Sequence, residues 1–521
     1  MGETYIYGNE NSKSWYASIG VFVPFPIMSL NETSKIHEFV IKNVKDVAPE
    51  SKIVIDLDSI DPALALTIAM HLCLSVDSLK ENILLPILLV SNLPILTFLS
   101  LGECSQFFLA RKGYAICSPE DVQYAIKAVE GLTFSEYKTD FLDKIHILPD
   151  ATVGRHSIAN QWGAEVLAHV ANIDYERNAD LINAQRSLYF KYVFAKKFYS
   201  DNSSDNNEIS IVDFNCDDIH NKKVLLIDDE ANCGWVQVLK KVLGVPDDNF
   251  DLVDYKVSEY KEIKDEIIKN RVNNDYYDLY LLDLRLMGNV EEDIVITKNF
   301  SGYRILDYLI KKNKGNQVII LTASNKAWNL KNLIDAGASG YYIKESPELM
   351  LPLSFSKKNY ESLMSEINSA FENKFKRKLY RDIYELQKNL RKSKRLKIEG
   401  INEELNGVLW KTFIPFMVKV KTKEDFVAAY ILLYSVFEIL ERHYESKLQL
   451  KGGKNMTNII NQLYEDIGNG DGLYARIQEV VDARNDFIHP KKSKTPPDFI
   501  YNHEGLDKLY SIISVVLYSL I

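Results

Sequence analysis

Short apolar runs that stop on a polar residue recur through the first two thirds of the chain. After residue 355 helical periodicity takes over. In the first third the runs are ASIGVFVPF (17–25), KIVIDLDS (52–59), PILLVSN (86–92) and GYAICSPE (113–120). In the middle they are KKVLLIDDE (222–230), YDLYLLDLRL (277–286), QVIILTAS (317–324) and GYYIKES (340–346). Continuous apolar runs of this length, alternating with helical stretches, predict parallel strands buried on both faces and joined by crossover helices. The stretch 83–99 is broken by Pro86, Asn92 and Pro94, so it falls short of a membrane span and reads as a buried strand leading into a helix. Residues 151–200 have a helical period and run into the polar segment SDNSSDNNE (200–208), a linker. Further on, Phe375, Leu379, Ile383, Leu386 and Leu390 share one helix face, and lysine and arginine crowd the others. The expected fold class is α/β plus all-α, divided as an α/β domain (1–150), a helical connector and polar linker (151–215), a second α/β domain (216–350), a basic linker helix (351–400) and a helical domain (401–521).

Composition changes this picture little. A chain of 521 residues exceeds what one core supports, roughly 250–300 residues. The net charge of −10 argues against a protein that coats DNA, but leaves room for a local basic RNA site. Five cysteines (Cys73, Cys104, Cys117, Cys216 and Cys233) lack paired ligand spacing, which predicts a reducing compartment and no zinc site. The first residues show no basic start before an apolar run, so the expectation is a cytoplasmic protein without a membrane partner.

The middle segment carries the most specific chemistry. Its four runs end on Asp228 and Asp229, on Asp283, on Thr322 and on Lys344. In an open α/β sheet the carboxyl ends of the strands form the ligand edge. Three carboxylates there repel one another unless a divalent cation joins them, and Mg²⁺ suits an all-oxygen site. Asp283 could then attack a phosphoryl donor, with Lys344 and Thr322 neutralising the transferring oxygens. Any α/β sheet can carry one acid at a strand end; this ordered set on four strands is far more specific. Residues 216–350 resemble the response-regulator receiver family. The resemblance implies a flavodoxin-like, doubly wound parallel sheet, with Asp228 and Asp229 as the acidic pair and Mg²⁺ ligands beside Asp283. It makes Asp283 the phosphoacceptor, Thr322 the switch hydroxyl, Lys344 the phosphate-binding lysine and Tyr341 the switch aromatic. The implied phosphoryl donor is a sensor histidine kinase or phosphotransfer protein. The segment departs from the family in a long loop (287–301) without the customary proline, and in Glu345 where proline usually follows the lysine.

The first segment echoes the second. Asp56 falls against Asp283, Ser91 against Thr322, and Cys117 where Lys344 sits. With 17–25 as the strand that should carry the acid pair, no acids are present. The segment is expected to be a degenerate receiver-like domain used for contact. His156 precedes an amphipathic run; a histidine near a helix start is more often structural than a phosphoacceptor.

At the far end, EVVDARNDFIHP (479–490) closes a helical period at Pro490. Arg484 and His489 lie about one turn apart and converge if the helix end tightens or bends. A histidine near neutrality suits proton transfer at a ribose 2′-hydroxyl, and an arginine fork suits a scissile phosphate. The plain alternative is a pair of helix-end charge contacts. The string resembles the signature of the HEPN superfamily, helical proteins that include many metal-independent ribonucleases. That resemblance implies Arg484, Asn485 and His489 as catalytic residues, an RNA substrate and a homodimer with a composite site. Jointly the expectation is a response regulator, phosphorylated on Asp283, that controls a HEPN ribonuclease in stress or anti-phage defence. The rival expectation is a non-enzymatic signalling protein whose helical domain only dimerises or binds a partner or nucleotide.

Overall fold

A computed structural model describes residues 2–109, 112–149, 155–199, 221–254, 259–272, 277–291, 294–312, 317–323, 327–394, 396, 400–445, 447–448, 454–465, 473–489 and 497–520. Two five-stranded parallel sheets and a helical C-terminal region make up the architecture. The first sheet comprises β1 (Thr4–Gly8), β2 (Val21–Pro24), β3 (Lys52–Asp56), β4 (Ile87–Val90) and β5 (Tyr114–Cys117), in spatial order β2-β1-β3-β4-β5. The second comprises β6 (Val224–Ile227), β7 (Phe250–Val253), β8 (Leu279–Asp283), β9 (Val318–Thr322) and β10 (Gly340–Ile343), in order β10-β9-β8-β6-β7. Both follow the spatial order 2-1-3-4-5 when strands are numbered within each sheet.

The apolar runs form strands because both of their faces are covered. In the second sheet Val224, Leu226, Leu279, Leu281, Ile319 and Leu321 face one core, while Leu225, Ile227, Tyr280, Leu282, Val318 and Ile320 face another. The first of these cores is continuous with that of the first sheet: Ile53, Ile55, Ile87 and Leu89 belong to the same cluster, bridged by the connector residues Trp162, Leu167, Phe190 and Val193. Among the described residues the connector is three helices, Arg155–Val170, Ala179–Arg186 and Leu188–Phe198. The expected linker 200–208 and Cys216 lie outside the described residues.

Helix Leu353–Glu372 packs on β10, and at Asn373 the chain turns into helix Lys374–Lys392. The face of Leu379, Ile383, Leu386 and Leu390 is buried in the C-terminal core with helices Lys423–Tyr444, Leu473–Ile488 and His503–Leu520. The apolar stretch 83–99 is β4 followed by helix Ile95–Leu99, as expected. Among the described residues no single helix is long and apolar enough to cross a membrane.

A buried polar cluster pins the connector to the first domain. Lys191 Nζ lies 2.8 Å from His37 Nδ1, 2.6 Å from His71 Nδ1 and 2.8 Å from Ser75 Oγ. Burial, partly countered by Asp77 and reinforced by Arg186, lowers the Lys191 pKa to about 7. Burial and then Lys191 lower His37 to about 3 and His71 well below its ordinary 6.5. Below pH 6.5 the unfolded chain therefore binds protons at these rings that the folded protein refuses, so their contribution to stability falls as pH drops from 6.5 towards 3. The melting temperature should fall through this window, and His37→Asn should flatten the fall; an identical pH profile for the variant would refute the account.

Candidate functional site

At the carboxyl edge of the second sheet, β6 delivers Asp228 and Asp229, β8 delivers Asp283, β9 delivers Thr322 and β10 leads into Lys344. The register explains the convergence: Ile227 pairs with Leu282, and Asp283 with Leu321, so the strand ends are level. Ile343 pairs with Thr322, and the Lys344 amide donates to the Thr322 carbonyl at 2.7 Å. Lys344 Nζ donates to Asp228 Oδ2 at 2.7 Å and to Asp283 Oδ2 at 2.9 Å. Asp228 Oδ1 accepts from the Glu230 amide at 2.9 Å, and Asp283 Oδ1 from the Arg285 amide at 3.3 Å.

Every charge here is buried; Lys344 is 2% exposed and Asp283 3%. Burial alone would lower the lysine, but Asp228 and Asp283 outweigh it and hold Lys344 above its usual value, hence charged. For Asp229 the lysine only partly offsets the opposite effect: burial, then Asp283 and Asp228, raise its pKa to about 7. Both of its carboxylate oxygens are buried with no hydrogen-bond partner among the described residues. One oxygen from each of Asp228, Asp229 and Asp283 lies within 4.8 Å of the others. An all-oxygen donor set with an orphaned carboxylate can accept a hard divalent cation.

Tyr341 is half-buried against the core on one face of the sheet, while Tyr342 is buried on the other face beside Trp235, with ring centroids 6.0 Å apart. The long loop is braced by Glu291, a residue the sequence did not single out. Its buried carboxylate accepts from the Ser301 amide and hydroxyl at 2.5 and 2.7 Å and from the Met287 amide at 3.1 Å. Two connector residues were also missed. Asn160 Oδ1 accepts from Lys344 Nζ at 3.0 Å, and Lys197 Nζ pairs with Glu345 Oε2 at 2.7 Å. The signal available was Glu345 itself, because a buried acid at a strand end demands a cation.

The first sheet corrects one expectation. The strand beside β3 that occupies the position of β6 is β1, Thr4–Gly8; β2, within 17–25, is an edge strand. The run 17–25 looked more strand-like because it is longer and more apolar than TYIYG. The polar residues after β1 are Asn9 and Glu10. Ser91 Oγ donates to Asp58 Oδ1 at 2.7 Å, and Asn92 holds the other Asp58 oxygen through its amide and side chain, both at 2.8 Å. Burial raises the Asp56 pKa against hydrogen bonds from the Ser12 hydroxyl, the Asp58 amide and the Tyr16 hydroxyl. Burial raises the Cys117 thiol to about 11, so it stays neutral, and a thiol in any case supplies no cation in place of a lysine. Asp56→Asn should therefore leave acyl-phosphate labelling unchanged; loss of the label by intact mass, with the fold kept, would contradict this. His156 lies in the first turn of helix Arg155–Val170, and its side chain falls outside the described residues.

In the helical domain, Arg484 points back at its neighbour helix. Its Nη2 donates to Glu438 Oε1 at 2.8 Å, Nη1 donates to Asn485 Oδ1 at 3.1 Å, and the guanidinium stands 5.3 Å from the Tyr434 ring centre. Its Nε is buried with no partner among the described residues. Asn485 and His489 are exposed, and the His489 amide extends the helix with a 2.8 Å bond to the Asn485 carbonyl. Residues 490–496, with Pro490, lie outside the described residues. Glu438 was not foreseen. No protein-family model matches the chain, and neither a curated protein nor a solved structure shows significant similarity to it.

Proposed function

We propose that the second sheet domain is a flavodoxin-like receiver that takes a phosphoryl group on Asp283 and controls the C-terminal helical domain. The observation that carries this reading is the bridge from Lys344 to Asp228 and Asp283, with both Asp229 oxygens beside it lacking a hydrogen-bond partner among the described residues. Asp228, Asp229 and Asp283 would hold Mg²⁺, which when bound supplies positive charge to the transferring oxygens. Asp283 offers a carboxylate oxygen as nucleophile, Lys344 offers a fixed cation, and Thr322 offers a hydroxyl at the end of the adjacent strand. A histidine kinase or phosphotransfer protein would be the donor. The direct test is labelling of the purified chain by an acyl phosphate, located by mass spectrometry.

For the output we propose a HEPN-like ribonuclease acting through Arg484, Asn485 and His489 in a homodimer, in a setting such as stress or anti-phage defence. The exposed His489, five residues after Arg484, favours this reading. The Arg484–Glu438 pair favours the rival, a module that dimerises or binds a partner without chemistry, because it engages one edge of the fork. Cleavage of bulk RNA by the protein, with and without acyl phosphate, separates the two.

A further inference from the structure

We infer that Asn160 is a positioning residue of the phosphoryl site, and that through it the helical connector holds Lys344 ready for a phosphoryl group. The inference rests on the receiver reading above. An ammonium has three N–H donors. In Lys344 they go to Asp228 Oδ2 (2.7 Å), Asp283 Oδ2 (2.9 Å) and Asn160 Oδ1 (3.0 Å). The two carboxylates are the groups that a cation and a phosphoryl group would claim. Asn160 belongs to neither, and it arrives from helix Arg155–Val170, 184 residues away in sequence. A neutral amide oxygen fixes the ammonium without cancelling its charge, so the full charge stays available to the incoming oxygens.

Asn160 is itself fixed. It is 1% exposed, and its Oδ1 also accepts from Trp235 Nε1 at 3.1 Å. Both neighbours are pure donors, which settles that the oxygen and not the amide nitrogen faces them. The Trp235 ring centre stands 5.2 Å from Lys344 Nζ, a second neutral contact with the cation. The connector backbone also sits hard against this end of the sheet. A Cβ on Gly163 would stand 2.9 Å from Trp235 Cζ2 and 3.3 Å from the Glu345 carbonyl oxygen. From helix Leu188–Phe198, Lys197 reaches Glu345 Oε2 at 2.7 Å and the Leu351 carbonyl at 2.8 Å. Two connector helices thus grip adjacent residues, Lys344 and Glu345, at the carboxyl end of β10. Docking of the connector and the state of Asp283 are then linked equilibria.

Two measurements on the full chain test this. Asn160→Ala should take the label from acetyl phosphate and Mg²⁺ at least about tenfold more slowly, the cost of one hydrogen bond to a charged group. In wild type, beryllium fluoride with Mg²⁺, which mimics the aspartyl phosphate, should increase hydrogen-exchange protection of 155–170. An amide that only holds the fold together would leave that exchange indifferent to Asp283. Labelling of Asn160→Ala at the wild-type rate, or unchanged or lost protection in 155–170, overturns the inference while the receiver reading stands. Failure of wild type to label at all overturns the receiver reading, and the inference with it. Should Asn160→Ala not fold, the wild-type exchange result decides alone.

Discussion

Asp283→Asn is expected to abolish uptake of a phosphoryl group, by at least about 10³-fold, as loss of a nucleophile does elsewhere. In the step itself a carboxylate oxygen of Asp283 bonds to phosphorus as the bond from phosphorus to the acyl oxygen breaks. The donor leaves as its carboxylate, and no proton need move. An asparagine amide keeps the shape but offers no anionic oxygen. It also removes one of the two carboxylates that hold Lys344, and the raised Asp229 should then ionise more readily, since Asp283 is one cause of its shift. Intact-mass spectrometry should find one added phosphoryl group on wild type and none on the variant. A persisting adduct would move the site elsewhere. Asp56 is the first residue to examine, although the hydrogen bonds around it and the absence of a lysine at Cys117 argue against it.

The second sheet was largely legible because each polar group at its carboxyl edge stands at the end of its own apolar run. A strand buried on both faces has no solvent-facing alternation, so the first polar residue marks where it leaves the sheet. The same rule misled at the N-terminus. β1 is only Thr4–Gly8, and a five-residue run with two tyrosines gives a weaker signal than 17–25. Asn160 and Lys197 were beyond reach for a different reason. Each lies on a helix whose own periodicity explains it as packing, and its partner is more than a hundred residues away. Glu291 sat in a loop that was noticed for its length and its missing proline, not for its acids. In the helical domain Glu438 was not anticipated, since one acid among several charged residues on its helix announces no partner.

The largest expected effect on the output concerns His489 and Arg484. His489 is exposed at the end of its helix, so His489→Ala should leave the fold intact. If it moves the proton of a ribose 2′-hydroxyl, cleavage should drop by about 10²–10⁴, the usual worth of general acid–base help. Arg484 is half-buried and tied to Glu438, so Arg484→Ala would also leave a carboxylate without its partner. Arg484→Lys is the better probe, because it keeps the charge near Glu438 and loses the planar fork that a phosphate requires. Both variants should lose RNA cutting, and DNA, which lacks the 2′-hydroxyl, should be untouched by wild type. Chains locked active should keep cutting in EDTA, because no cluster of metal-ligating side chains surrounds Arg484 among the described residues. A composite dimer adds a sharper outcome: mixing wild type with His489→Ala should lower activity by more than dilution. Undiminished cutting by His489→Ala and Arg484→Lys would end the ribonuclease assignment here. It would leave Arg484 as the cation that Glu438 and Tyr434 hold between two helices, and the domain as a dimerising or partner-binding module under receiver control.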